Sequence, residues 1–199
     1  MRGDEAQRIL ALVVNHPCYQ RNVEYGKPRP GHAEGTVRAH ILELEQNLEE
    51  LNRRGIVTFD HYWCLKLLIH THDSFKAESK RNAAIEDPHS HASLARAFLA
   101  DFTSDSDMLL ILQYHDLGFA VYRKLIDSGM LAETRLSKGL QAIADLDLLV
   151  LFAITDGCTE SKGREMIRWF VREVNRRCPW VLIKEDAILP GPARVGESW

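Results

Sequence analysis

The 199-residue chain has no apolar run near the roughly 20 residues that a membrane-spanning helix needs. Its first residues, Met1-Arg2-Gly3-Asp4-Glu5, bring charge before any apolar core, so no secretory signal is expected. It has no C-x-x-C: Cys18, Cys64, Cys158 and Cys178 are far apart, each in or near an apolar stretch. That spacing excludes a disulfide framework or a cysteine zinc knuckle and reads as reduced thiols in a cytoplasmic protein. No large excess of either charge is present either. A net charge of -3 gives no general reason to expect nucleic acid or an anionic membrane as partner, although it does not rule out a local basic patch. Period-2 alternation, internal repeats and low-complexity tracts are also missing, which argues against strands and solenoids.

What is present is an ordinary globular composition, 45% apolar and 27% charged, in a chain long enough for one well-buried core. Apolar residues recur at helical spacing. Ala6 to Asn15 reads as a short amphipathic helix ended by Pro17, and Cys18 to Gly31 as an irregular loop or a flap over a site. From Thr36 to Arg54, Val37, Ile41, Leu44, Leu48 and Leu51 make one stripe, stopped by Gly55. Thr58 is placed to cap a helix running to His72 that is apolar on nearly every side and therefore central.

The polar segment 76–88 follows, then helices over His89 to Phe102 and after Ser104-x-x-Asp107, whose spacing is that of a capping box. Further helical stretches cover Phe119 to Ile126, Arg135 to Ile154 and Glu160 to Arg177. After Pro179 the chain keeps a short apolar patch, Val181-Leu182-Ile183, then turns rich in proline and glycine and reads as a loose tail. The expectation is an all-α, single-domain helical bundle. Residues 1–35 form a helix and loop packed on the core, 36–178 the core domain, and 179–199 a tail.

Nine histidines stand out, six of them between His61 and His115. Taken singly, a histidine at a helix end is usually a cap or a satisfied surface residue, and His32, His61 and His70 are read that way. Asp116 and Asp156 could each be turn residues before a glycine. The joint pattern is harder to dismiss. Three apolar helices end in His72-Asp73, His115-Asp116 and Asp156, His40 lies on the preceding striped helix, and His89 and His91 sit at a loop-to-helix junction. A carboxylate closing an apolar helix must be desolvated and lies against the negative end of the helix dipole. A divalent cation relieves both costs, and imidazole with carboxylate suits transition metals.

The order His40, His72-Asp73, His89 or His91, His115, Asp156 resembles the HD-domain metal-dependent phosphohydrolase superfamily over roughly residues 36 to 162. The resemblance implies a helical bundle with a metal centre at its helix ends. His40, His72, Asp73 and Asp156 would hold a first divalent metal, and Asp73 would bridge to a second held by His115 and by His89 or His91. Between those two, His89 is preferred because Ser93 then falls where the family often has a small residue. The metals implied are one or two of manganese, iron, cobalt, nickel or zinc, with magnesium acceptable. Lys76 matches the lysine that lies near the substrate phosphate in the His-Asp-x-x-Lys subgroup, although Phe75 stands where that subgroup usually has glycine. The second pair, His115-Asp116, has Phe119 in place of such a lysine, and Asp116 is assigned a supporting or substrate role.

The function implied is hydrolysis of a nucleotide or other small phosphate ester by a metal-activated water, with Asp73, Lys76 and Asp116 as its catalytic candidates. Two other classes fit the same residues: an HD-fold di-iron oxygenase, and a non-catalytic metal- or nucleotide-binding module. Self-association into a homo-oligomer, and docking through the tail at Trp199, stay open.

Overall fold

The computed structural model describes residues 1–28 and 35–191. His32, residues 29–31 of the 18–31 loop and the tail from 192 to Trp199 lie outside the described residues. Among the described residues the regular structure is helical, and the sole strand-like feature is an isolated antiparallel bridge between Gly26 and Thr36. Among the described residues no helix is long and apolar enough to cross a membrane.

The striped segment forms α3, Val37–Arg53, and its stripe is buried throughout. Thr36 caps it by accepting from the Ala39 amide at 3.2 Å. Gly55 ends it at φ +70°, a conformation that strains any residue with a Cβ. Helix α4, Phe59–Thr71, is capped by Thr58 and packs against α1 (Gly3–Val14), α3, α6 (Ser106–Tyr114) and α9 (Leu146–Gly157). Its Leu65, Leu67, Leu68 and Ile69 are completely buried, each contributing about 1.5–3 kcal/mol. This encirclement is why α4 is apolar on most sides, with Lys66 and His70 confined to the edge that meets Glu45. One apolar cluster runs from Ala6 to Leu189, so the N-terminal helix is part of the core.

Several local expectations are corrected. Pro17 starts a helix, α2 (Pro17–Asn22), because its fixed φ suits the first turn, and His16 Nδ1 accepts from the Cys18 amide at 3.2 Å. Helix α5 begins at His91 and runs to Ala100, with Ser90 as its cap, which leaves His89 in the preceding turn. Asp105 caps α6 by accepting from the Met108 amide at 3.0 Å, not Ser104.

The stretch from Arg135 to Ile154 is two helices, α8 (Glu133–Ala142) and α9, after α7 (Leu117–Ser128). The break is held by Asp107, which accepts from the Ala144 and Asp145 amides at 2.9 and 3.1 Å, while Asp145 caps α9. Helix α10, Glu165–Arg177, starts five residues later than its amphipathic pattern. The tail is packed as far as it is described: Ala187, Ile188 and Leu189 are buried around a short 3-10 turn, Glu185–Ala187.

Candidate metal centre

The C-terminal ends of α4, α6 and α9 meet beside the N-terminal half of α3, and this meeting collects the histidines and aspartates. His72 caps α4 with Asp73 next to it; His115 caps α6 with Asp116 next to it; Asp156 stands in the last turn of α9; His40 comes from α3. His91, the first residue of α5, completes the set. Two ligand groups result, His40–His72–Asp156 and Asp73–His91–His115, with ligand atoms in each group all within 4.8 Å of one another.

Asp73 lies between the groups. Its Oδ2 is 3.3 Å from His72 Nε2 and 3.8 Å from His40 Nε2, while its Oδ1 is 3.7 Å from His91 Nε2 and 4.0 Å from His115 Nε2. His40 Nε2 is 3.0 Å from Asp156 Oδ1, and the Nε2 atoms of His91 and His115 are 3.0 Å apart. Two nitrogens bound to one cation at about 2.1 Å stand roughly 3.0–3.4 Å apart, so these spacings fit a shared ion.

The tautomers point the same way. His72 Nδ1 lies 2.9 Å from the Ile69 carbonyl, and His115 Nδ1 lies 2.7 Å from the Leu112 carbonyl. A carbonyl only accepts, so each Nδ1 carries the hydrogen and each neutral ring turns a bare Nε2 lone pair into the cluster. For His72 that atom is buried and has no hydrogen-bond partner. It faces the Asp73 carboxylate, lone pair to lone pair, an arrangement that a cation between them would satisfy. A ring nitrogen fixed by a backbone carbonyl while its other nitrogen faces inward is the usual support of a metal-ligating histidine.

The electrostatics are those of a cation site. Three helix C-termini bring partial negative charge. Burial pushes Asp73 and Asp156 up, but the opposing pull of His72 and Lys76 on Asp73, and of Lys162 and His40 on Asp156, holds both carboxyls well below their ordinary range. Asp116, also pushed up by burial, is lowered by His115 and by a hydrogen bond from His91, with 3.3 Å between His91 Nε2 and Asp116 Oδ2. Burial drives His115 down, so its ring is neutral near pH 7. For His40, burial pulls downward but Asp156 and Asp73 outweigh it.

The site has a closed back and an open side. His40, His72, His115 and Asp73 are all but sealed, whereas His91, Asp116 and Asp156 keep partial access. Phe152 forms the back wall, edge-on to the His72 and His115 rings with centroids 5.3 and 6.3 Å away. Two surface grooves lie elsewhere, one around Leu42, Glu45 and Lys66 and one around Ile85, Tyr114 and Lys138, and no cluster side chain lines either.

Of the residues singled out from sequence, His40, His72, Asp73, His91, His115 and Asp156 come together and could hold a metal ion. Asp116 joins them at the rim, and Lys76 reaches Asp73 Oδ2 with its ammonium. His89, preferred over His91, does not join. It stands one residue before the Ser90 cap, its side chain is 74% exposed, and its ring meets only Asp87. His61 and His70 stay outside the cluster, paired with Asp145 and with Tyr19 and Glu45.

Three contributors were not anticipated. Lys162 donates to Asp156 Oδ1 at 2.9 Å and to the Asp156 carbonyl at 3.0 Å. Arg164 is buried and holds the turn that carries Lys162. Asn47, on α3, donates to the Thr155 carbonyl at 2.8 Å and fastens α9 beside Asp156. Nothing in their spacing marks them: the turn after α9 sets the positions of Lys162 and Arg164, and Asn47 is one of several polar residues along α3. Comparison of the chain with family models, with curated proteins and with solved structures finds no match.

Proposed function

We propose that the chain is a metal-dependent phosphohydrolase of the HD-domain type, acting on a nucleotide or another small phosphate ester. The observation that carries the proposal is Asp73, one carboxylate with an oxygen toward each of two histidine-rich ligand groups, beside the buried, unpartnered Nε2 of His72. His40, His72, Asp156 and Asp73 Oδ2 would hold one divalent metal, and Asp73 Oδ1, His91 and His115 a second. Such metals, when bound, acidify water and polarise phosphoryl oxygens.

The chain's own residues supply the rest. Lys76, held above its ordinary pKa by Asp73 against the pull of burial, is a permanent ammonium at the open side and suits a phosphate oxygen. The Ile69 and Leu112 carbonyls lock the His72 and His115 tautomers, so no proton has to leave either Nε2. Phe152 excludes water from the back. Asp116 is ionised at neutral pH, which does not suit it to giving a proton to a leaving group.

The test is chelation, reloading with manganese, iron, cobalt, nickel or zinc, and a panel of phosphomonoesters, phosphodiesters and nucleotides with Asp73→Ala as control. Phosphate release that needs metal, ignores dioxygen and vanishes in the variant is the expected result. Turnover that needs two irons and consumes dioxygen would move the site to the oxygenase class. Absence of any turnover in the loaded protein would reduce it to a binding module.

A further inference from the structure

We propose that Lys162 is a second anion-binding residue of the metal centre, displaced from Asp156 Oδ1 when a cation enters and then gripping a phosphate monoester dianion together with Lys76. The inference rests on the phosphohydrolase reading and narrows its substrate to a terminal phosphate with two negative charges.

The two lysines are placed alike, each on a carboxylate of the cluster. Lys76 Nζ contacts Asp73 Oδ2, and Lys162 Nζ contacts Asp156 Oδ1. Each ammonium therefore sits on an oxygen that a metal would use, and each is about three-quarters buried with its remaining surface at the open side. The lone pairs of Asp156 Oδ1 are also claimed by His40 Nε2 at 3.0 Å. A divalent cation closing the His40–His72–Asp156 group competes directly with Lys162 for that oxygen.

Lys162 does not have to leave when it loses. An ammonium has three donors, and one is already given to the Asp156 main-chain carbonyl at 3.0 Å. That anchor keeps Nζ at the rim while the donor released from Oδ1 turns outward. The backbone beneath it is fixed in advance. Arg164, 8% exposed, donates to the Cys158 and Thr159 carbonyls at 2.9 and 3.0 Å and to the Lys162 carbonyl, and it ties this turn to the Leu189 and Pro190 carbonyls at 3.1 and 2.7 Å. A turn nailed down by one buried guanidinium at five carbonyls is a platform, and the side chain it presents to the cluster is Lys162.

Charge selects the ligand. Three carboxylates, Asp73, Asp116 and Asp156, face two ammonium groups, so the cluster with neutral imidazoles stands at one negative charge. One divalent cation makes it +1 and two make it +3. The loaded site therefore prefers a dianion, and two lysines can each take one of its oxygens. A phosphodiester also has two non-bridging oxygens, but they share a single negative charge, so it would answer only half of the charge that the lysines and metals present.

The experiment titrates manganese into the chelator-treated full chain and then inorganic phosphate into the manganese-loaded protein, for wild type, Lys162→Met and Lys162→Arg. Lys162→Met should take up the same equivalents of manganese, at least as tightly as wild type because a competitor is gone. Its phosphate affinity should fall about 10- to 100-fold, the loss of one charge-assisted hydrogen bond, while Lys162→Arg stays within a few-fold of wild type. Unchanged phosphate affinity in Lys162→Met would overturn the proposal, as would loss of manganese from that variant, which would make Lys162 a support of the metal site. The two readings separate cleanly. Phosphate binding that depends on Lys162 without hydrolysis of any ester removes the hydrolase and leaves the anion site; hydrolysis with Lys162-independent phosphate binding does the reverse.

Discussion

Replacing Asp73 by asparagine removes one charge, keeps the shape of the side chain and tests the centre where its two halves touch. In the metal-free protein the change deprives the Lys76 ammonium of its carboxylate. That should cost about 1–3 kcal/mol, the usual effect of unpairing a buried polar group. With metal the effect is larger. At a metal concentration about 100 times Kd, each occupied site stabilises the fold by about 2.7 kcal/mol. For a chain of 199 residues, 1 kcal/mol moves Tm by about 2–4 °C, so wild type should gain about 5–11 °C per site. Asp73 has an oxygen toward each group, so the variant should weaken both sites together, by more than the about 10- to 100-fold that outer-shell changes alone cause. A 100-fold loss leaves about 0.4 kcal/mol per site at the same concentration, a shift of about 1–2 °C. The assay is a thermal scan with and without manganese, paired with elemental analysis after dialysis. A variant that keeps one full equivalent at wild-type affinity would refute the shared carboxylate, and one that keeps both would refute the site.

Three further outcomes follow from the same geometry. His91→Ala should lose one metal equivalent while His89→Ala keeps both, read by elemental analysis; the reverse would mean that the turn before α5 rearranges around the ion. His61 donates to Asp145 Oδ2 at 3.0 Å, and that hydrogen bond, against the pull of burial, raises its pKa. Its stabilising effect is therefore complete below about pH 6.5 and fades as pH rises through the raised value. The Tm gap between wild type and His61→Ala should shrink across that window, and a gap independent of pH would contradict the ion pair. Phe152→Ala should cost about 3–5 kcal/mol in denaturant unfolding and loosen metal binding by opening the back wall behind His72 and His115. Unchanged metal affinity would show that the wall serves only the core.

The helices were legible where one stripe or one cap decides them. The α3 stripe and the Thr58 cap appear in the structure where the spacing puts them, as does the largely apolar character of α4 that makes it central. Misreadings gather where a distant group settles a local question. Nothing between Arg135 and Ile154 breaks the apolar period, yet Asp107, on α6, captures the Ala144 and Asp145 amides and splits the stretch in two. The tail reads as loose because Pro190 and Gly191 look like linker, but Arg164 takes the Leu189 and Pro190 carbonyls, and Leu189 is buried.

The same division runs through the candidate site, and it explains the one histidine that was misassigned. His40 and Asp156 lie on helices, and His72, Asp73 and His115 cap or directly follow them, so the direction of each follows from its helix and their convergence could be anticipated from order alone. His89 and His91 differ by two positions across a helix start, and there the deciding fact is which residue caps α5. Ser90 accepts from the Ser93 amide at 3.1 Å, and its hydroxyl is held in turn by the Ile85 carbonyl at 3.0 Å. That cap makes His91 the first helical residue, turned toward His115, and leaves His89 outside the turn beside Asp87. Preference for His89 rested on the position of Ser93 as a small residue, whereas Ser93 matters here through its amide. Lys162 was invisible for a related reason: its approach to Asp156 is made by Arg164, which closes the turn from the far side. Ligands set by the ends of regular helices can be read from their spacing, but a residue whose place is decided by a turn can be placed only once the groups that hold the turn are known.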